Sequence, residues 1–161
     1  MSDSRRQLLF ICAVAMGAFC LYAAVRFLTE DDAARIRRSI YAAVVGLEKK
    51  DRARYGAIIS PQYQDAEGNN KFTLLKVVED GMAGFEPVKC DIRQLTIETK
   101  GEGAAEATVG FKFYFRSVRD RKLYYDAGRV LAHFVQEGRA WRIQQLDYID
   151  AKEIYSIQSV S

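Results

Sequence analysis

Apolar residues along this chain change their spacing twice, and each change marks a different kind of structure. From Leu8 to Val25, eighteen successive residues carry no charge. From about residue 29, apolar positions recur every three or four residues, which is typical of amphipathic helices. From Val88 onward they alternate with polar residues, which is typical of half-buried strands. The pattern predicts an apolar segment, a helical region and a strand-rich region, in that order.

Three helices are predicted in the helical region. The first spans about residues 29–49, with an acidic first turn that suits the helix dipole. The second is short and covers residues 51–60, because Pro61 disfavours helix in the residue before it. The third follows a turn-rich loop, and Phe85 is expected to be the last residue on its apolar side. Gly84 and Pro87 are expected to end it.

Four segments of the second half alternate as strands do. The clearest is residues 105–115, in which one face is apolar and the other polar. Residues 91–99 form a shorter strand whose alternation slips near Gln94, which indicates a bulge. Residues 123–136 and 140–148 are expected to form the last hairpin. Three helices followed by a curved antiparallel sheet predict an α+β fold.

The uncharged run is long enough to cross a bilayer, because eighteen helical residues span roughly 27 Å. A cleaved signal peptide is the competing interpretation, but the candidate cleavage sites have large residues where small ones are needed. We therefore predict an uncleaved anchor in which Ala13 and Gly17 are spaced for close helix packing. The predicted division is a tail (1–7), a transmembrane helix (8–28), a domain (29–155) and a second tail (156–161).

Composition narrows the function classes. The net charge is +3, and beyond residue 28 the chain carries 21 basic and 20 acidic residues. A nearly neutral domain lacks the basic field of a general nucleic-acid binder, so no nucleic-acid partner is expected. Cys90 is the only cysteine beyond residue 28, which excludes an internal disulfide and a four-cysteine metal site. No metal and no cofactor are predicted.

Several motifs together resemble the nuclear transport factor 2-like (SnoaL-like) superfamily over about residues 31–148. These are the Asp-x-x-Gly sequence that begins at Asp65, the Trp-x-Ile sequence that begins at Trp141 after a glycine turn, and the order of the elements. The resemblance implies a cone-shaped fold with a strongly bent sheet and a pocket at its open end. It does not fix an activity, because the superfamily includes isomerases, dehydratases, binding modules and assembly subunits.

The resemblance also implies that a pocket enzyme would place a carboxylate or a histidine beside tyrosines inside the cone. No catalytic residue is assigned from the sequence. Asp126 is either a buried acid or a solvated strand residue, and Asp65 either belongs to the pocket or caps its own loop. The aromatic side chains either line a ligand pocket or form an ordinary core. The candidate pocket residues are Tyr41, Tyr55, Phe111, Phe113, Asp126 and Trp141.

The single histidine, His133, has two possible positions. A two-residue turn at Glu137-Gly138 puts it on the outer face of the sheet beside Arg142. A three-residue turn with a bulge puts it inside with Trp141 and Ile143. The sequence leaves both positions open.

The leading functional hypothesis is a single-pass, membrane-anchored, non-catalytic binding or assembly module. Arg5 and Arg6 precede the apolar run, which favours a periplasmic domain anchored in a bacterial inner (cytoplasmic) membrane. The expected partners are the lipid bilayer and other membrane proteins or a second copy of the chain. One alternative is a pocket enzyme of isomerase or dehydratase type, acting on a small hydrophobic substrate. Another is a dimeric scaffold joined through the outer face of its sheet.

Two further features bear on these hypotheses. The basic turn at residues 116–122 suits phospholipid headgroups or an acidic partner, although such turns are commonly just solvated. An enzyme should have a polar, enclosed pocket with a carboxylate or His133 beside a tyrosine. A pocket filled by phenylalanine and tryptophan side chains would contradict the enzyme hypothesis.

Overall fold

The computed structural model describes residue 16, residues 31–151 and residues 155–157. The predicted membrane anchor at residues 8–28, with Ala13 and Gly17, lies outside the described residues apart from Met16. Within the described part of the chain, no helix is both long enough and apolar enough to cross a bilayer.

Within residues 31–151, three helices are each preceded by a residue whose side chain caps the first turn. In α1 (Asp32–Glu48) the N-cap is Asp31, which accepts a hydrogen bond from the backbone of Ala33. In α2 (Arg52–Gly56) the N-cap is Asp51. In α3 (Lys71–Met82) Asn70 and Thr73 form a reciprocal capping box. These caps satisfy backbone N–H groups that have no partner within the helix.

The third helix is shorter than the sequence indicates. It ends at Met82, and Phe85 begins the first strand instead of lying on the helix. The physical reason is a contact with the sheet: the carbonyl of Gly84 accepts a hydrogen bond of 2.9 Å from the backbone of Val118. The chain has therefore joined the strand region before Pro87 is reached.

Five strands form one antiparallel sheet in the order β1-β2-β3-β4, and β5 pairs with the beginning of β3. The predicted slip near Gln94 is confirmed as a register shift between Ile92 and Gln94, and such bulges bend a strand. The last turn lies at Gly138-Arg139, because Glu137 pairs with Ala140, so the predicted turn was wrong by one residue. The strands are β1 (Phe85–Gly101), β2 (Ala104–Ser117), β3 (Leu123–Glu137), β4 (Ala140–Ala151) and β5 (Tyr155–Ile157).

The core lies between α1, α2 and the inner face of the sheet. Ile36 and Phe134 are 0% and 1% exposed, and they pack with small side chains of the central strands such as Ala107. The helix α3 covers the sheet less completely, since Leu75 is its one buried residue. The predicted α+β class, with three helices on one face of an antiparallel sheet, is confirmed. The incomplete cover by α3 leaves space inside the fold.

Candidate functional site

A cavity of about 840 Å³ lies between α1, α3 and the inner face of the sheet. Its volume is in the range of small-molecule binding sites. The wall is mainly hydrocarbon: the helices contribute aliphatic side chains, and β2 contributes aromatic ones. Lining residues that bear on the site are Ile40, Leu47, Tyr55, Val78, Met82, Cys90, Phe111, Phe113, Phe115, Arg119, Asp120, Tyr124, Asp126 and Tyr148.

The register between β2 and β3 puts Asp126 on the cavity wall. Directly paired residues of an antiparallel sheet share a face. Asp126 is paired with Phe113, and Tyr124 with Phe115, so both follow the aromatic side of β2. Among the described residues, none donates a hydrogen bond to the Asp126 carboxylate or forms an ion pair with it. A carboxylate in an apolar wall is costly unless water or a ligand satisfies it.

Two tyrosines line the cavity near this carboxylate, and they differ in hydrogen bonding and exposure. Tyr124 donates a hydrogen bond of 3.1 Å to Asp120. Tyr148 is 70% exposed at the edge of the cavity. Partial burial, followed by the negative charges of Glu67 and Asp126, raises the pKa of Tyr148. Its hydroxyl therefore stays protonated and can donate a hydrogen bond to a bound molecule.

Cys90 is a cavity residue that the sequence reasoning did not select. Burial first, and then the carboxylates of Glu48 and Asp91, raise the pKa of its thiol to about 12. The backbone N–H of Cys90 donates to Glu48 at 3.0 Å, which ties α1 to the first strand. The alternation of β1 could have indicated that Cys90 faces the cavity, because Cys90 lies two residues after the buried Val88 and therefore on the same face of the strand.

The structure brings together four of the six predicted pocket residues: Tyr55, Phe111, Phe113 and Asp126 line the cavity. Tyr41 does not, because it follows the buried Ile40 by one residue and is 49% exposed on the other side of α1.

Trp141, also predicted for the pocket, is 5% exposed but does not line the cavity. Its ring N–H donates a hydrogen bond of 3.0 Å to Asp32 in the first turn of α1. The side chain therefore ties α1 to β4 rather than lining the space under α3.

His133 lies on the outer face of the sheet, away from the cavity. The alternation of β3 sets this position, because His133 lies between Ala132 and Phe134, which are 2% and 1% exposed on the inner face. Its Nε2 atom is 2.8 Å from Asp147, and its Nδ1 atom is 3.6 Å from Glu106. In the described ranges, no three His, Cys, Asp or Glu side chains form a group that could hold a metal ion.

Asp65 caps its own loop, which is one of the two roles that the sequence left open for it. Its Oδ1 atom accepts hydrogen bonds from the backbone of Glu67 and Asn69 at 3.0 and 2.8 Å, and its Oδ2 atom accepts one from the Tyr63 hydroxyl. Desolvation opposes these hydrogen bonds, but together they lower the pKa of Asp65. The residue shapes the loop before α3 and does not belong to the cavity.

No family model and no curated protein sequence matches this chain. Several solved structures, in contrast, are similar to this chain in fold. A putative scytalone dehydratase from Novosphingobium aromaticivorans has a TM-score of 0.68 at 12% identity, covering 77% of this chain and 86% of its own. A type 3 hexachlorocyclohexane dehydrochlorinase from Novosphingobium barchaimii has a TM-score of 0.67 at 11% identity, covering 79% and 90%.

A nuclear transport factor 2-like superfamily protein from Salmonella enterica has a TM-score of 0.64 at 16% identity, covering 75% of this chain and 92% of its own. Together these structures show that the chain has a nuclear transport factor 2-like fold, as the sequence motifs predicted. Identities this low show the fold alone.

Proposed function

We propose that the domain binds a small, mainly hydrophobic molecule in the cavity and catalyses a proton transfer on it, with Asp126 as the acid–base group. The observation that carries this proposal is the Asp126 carboxylate, which lies on an apolar wall without a partner among the described residues. A base in such a place can contact a substrate bound in the cavity directly.

Two reactions suit this arrangement. In an isomerisation, the carboxylate removes a proton from a carbon next to a carbonyl group and returns it to a second carbon of the same molecule. In an elimination, the proton stays on Asp126 and later passes to water, while the leaving group departs with the electron pair of its bond to carbon. In either reaction, Tyr148 donates a hydrogen bond to the atom that gains negative charge, which is the carbonyl oxygen in the isomerisation and the leaving group in the elimination.

The comparisons support the enzyme hypothesis over the non-catalytic one. Two of the structures with this fold are called a dehydrochlorinase and a dehydratase, names that describe elimination reactions. The cavity of this chain is more apolar than the sequence reasoning expected of an enzyme. It is nevertheless not filled by Phe and Trp side chains, and it contains a carboxylate beside tyrosines. The proposed substrate class is accordingly hydrophobic, with one carbonyl, hydroxyl or halide group.

The test separates binding from chemistry. The full chain is incubated in D₂O with a panel of hydrophobic cyclic ketones, alcohols and chlorides, and mass spectrometry records deuterium uptake or loss of the leaving group. Binding is measured with the fluorescent dye 1-anilinonaphthalene-8-sulfonate. Asp126→Asn keeps the side-chain volume but removes the base, so turnover should fall by about 100-fold or more while dye binding persists.

Asp147→Asn is the matched control, because Asp147 lies on the outer face of the same sheet beside His133. We expect it to leave turnover unchanged. If turnover survives in Asp126→Asn, the role assigned to Asp126 is wrong. If Asp147→Asn abolishes turnover instead, the chemistry belongs to the outer face.

A second candidate function is the membrane-anchored, non-catalytic binding or assembly module. The uncharged run from Leu8 to Val25 favours it, together with placement of the domain on the periplasmic side of a bacterial inner membrane. Dye binding without turnover of any member of the panel would favour this function. A detergent-stable dimer that persists after deletion of residues 1–28 would favour the scaffold hypothesis.

A further inference from the structure

The end of β2 and the turn that leads to β3, residues 116–122, form a basic tip beside the cavity. It contains three arginines and one lysine against a single aspartate. All of its side chains are exposed except that of Ser117. Arg119 and Asp120 also line the cavity, so the tip forms part of the cavity's edge.

The positive charge of the basic tip is not neutralised within the domain. Arg116, Arg119 and Arg121 form no ion pair with any carboxylate of the described chain. Asp120, which accepts hydrogen bonds from the Lys122 backbone and the Tyr124 hydroxyl, both at 3.1 Å, offsets one of the four positive charges, and the tip keeps a net charge of +3.

Many other cations of the domain are paired. Arg52 lies 2.7 Å from Glu79, and Lys76 lies 3.0 Å from Asp80. The basic tip therefore retains a positive field that a negatively charged surface can meet.

An apolar side chain lies in the middle of these cations. Val118 is 55% exposed. Its backbone is nevertheless held, because it donates a hydrogen bond of 2.9 Å to Gly84 at the end of α3. Next to the tip, Phe115 packs against Phe85 with ring centroids 4.6 Å apart, which gives the tip a rigid base. A fixed, exposed valine among arginines is the arrangement that suits the boundary between headgroups and acyl chains.

We propose that the basic tip docks on an anionic phospholipid bilayer. In this arrangement the arginines contact headgroup phosphates and Val118 enters the boundary with the acyl chains. The cavity edge formed by Arg119 then faces the membrane, so a hydrophobic ligand dissolved in lipid reaches the cavity without crossing water. The docking does not depend on the role of Asp126, and failure of one proposal leaves the other standing.

Hydrogen exchange of the full chain tests the docking. The protein is measured with vesicles of phosphatidylcholine alone and with vesicles that also contain phosphatidylglycerol. We expect the amides of residues 117–122 to gain protection only with the anionic vesicles, and added salt to remove that protection. Arg121→Gln should weaken docking by about fivefold, because one basic residue near an anionic surface contributes about 1 kcal/mol.

Arg139→Gln is the matched control. Arg139 is also an exposed arginine in a two-strand turn, but it lies at the opposite end of the sheet. Its substitution should leave the protection unchanged, whereas Val118→Asp should reduce it as Arg121→Gln does. Equal protection in neutral and anionic vesicles overturns the proposal. So does protection reproduced by inorganic phosphate without anionic lipid, since that would indicate a free-anion site, and so does equal sensitivity to Arg121→Gln and Arg139→Gln.

Discussion

Gly46 of α1 lies against α2, and replacing it tests how tightly these helices pack. A Cβ atom at this position would lie 2.7 Å from the backbone nitrogen of Tyr55 and 3.1 Å from the Cβ atom of Arg54. Ordinary contact begins at 3.4 Å, so α2 must move away by about 0.7 Å in Gly46→Ala. The atom in the way is backbone, which has no alternative rotamer.

Two opposing effects determine how far Gly46→Ala changes the free energy of unfolding. Alanine in place of glycine stabilises a helix interior by about 0.5–1 kcal/mol. Forcing an extra methyl group into a packed contact costs about 1–3 kcal/mol. We therefore expect Gly46→Ala to lower the free energy of unfolding by about 1 kcal/mol. The matched control is Gly81→Ala in α3, where a Cβ meets no atom within 4 Å, and only the stabilising term applies.

The assay is urea unfolding of the full chain, followed by the fluorescence of Trp141, the single tryptophan of the sequence and 5% exposed. The two variants should shift the free energy of unfolding in opposite directions and differ by about 1.5–2 kcal/mol. If Gly46→Ala is as stable as the parent or more stable, the helices are not packed as described. Equal shifts in both variants would also refute the reasoning.

Two further predictions concern titratable groups. Because its pKa is about 12, the Cys90 thiol should react with iodoacetamide at neutral pH at least 100-fold more slowly than an ordinary cysteine, which peptide mapping measures; reaction at the ordinary rate would contradict its burial. Hydrogen bonds lower the pKa of Asp65 in the folded state, so its stabilisation is present above the unfolded value of about 4 and is lost as the pH falls through the folded value. The destabilisation caused by Asp65→Asn should therefore shrink in acid unfolding series, and a constant difference at all pH values would show that the ionised form is not the stabilising one.

Local patterns predicted those features of the fold that local interactions decide. The slip of alternation at Gln94 marks a bulge because the apolar side chains of a half-buried strand must stay on its buried face. Asp65 is recognisable as a loop cap because the groups that donate hydrogen bonds to its carboxylate all lie within four residues of it in the sequence. Phe85 was misassigned because the contact that ends α3, between Gly84 and Val118, joins residues that are far apart in sequence.

The candidate site was predictable only in part, for a related reason. Alternation places Phe111 and Phe113 on the inner face of the sheet, but it does not say which part of that face the helices cover. Trp141 shares the inner face and is covered by α1, whereas the aromatic side of β2 remains open. The face of His133 depends on where the last turn lies, because moving the turn by one residue changes which residues of β3 and β4 are paired, and the sequence offers more than one turn there.

The incomplete cover by α3 also bears on how the protein responds to what it binds. The apolar side of α3, with Val78 and Met82, faces open space where a denser fold would have core side chains. A hydrophobic ligand would therefore act as a missing part of the core, and its binding energy would add to the stability of the whole domain. At a hundredfold excess over its dissociation constant, such a ligand raises the free energy of unfolding by about 2.7 kcal/mol. The empty protein would then be the one more readily unfolded and degraded, so the amount of folded protein would report the supply of its ligand.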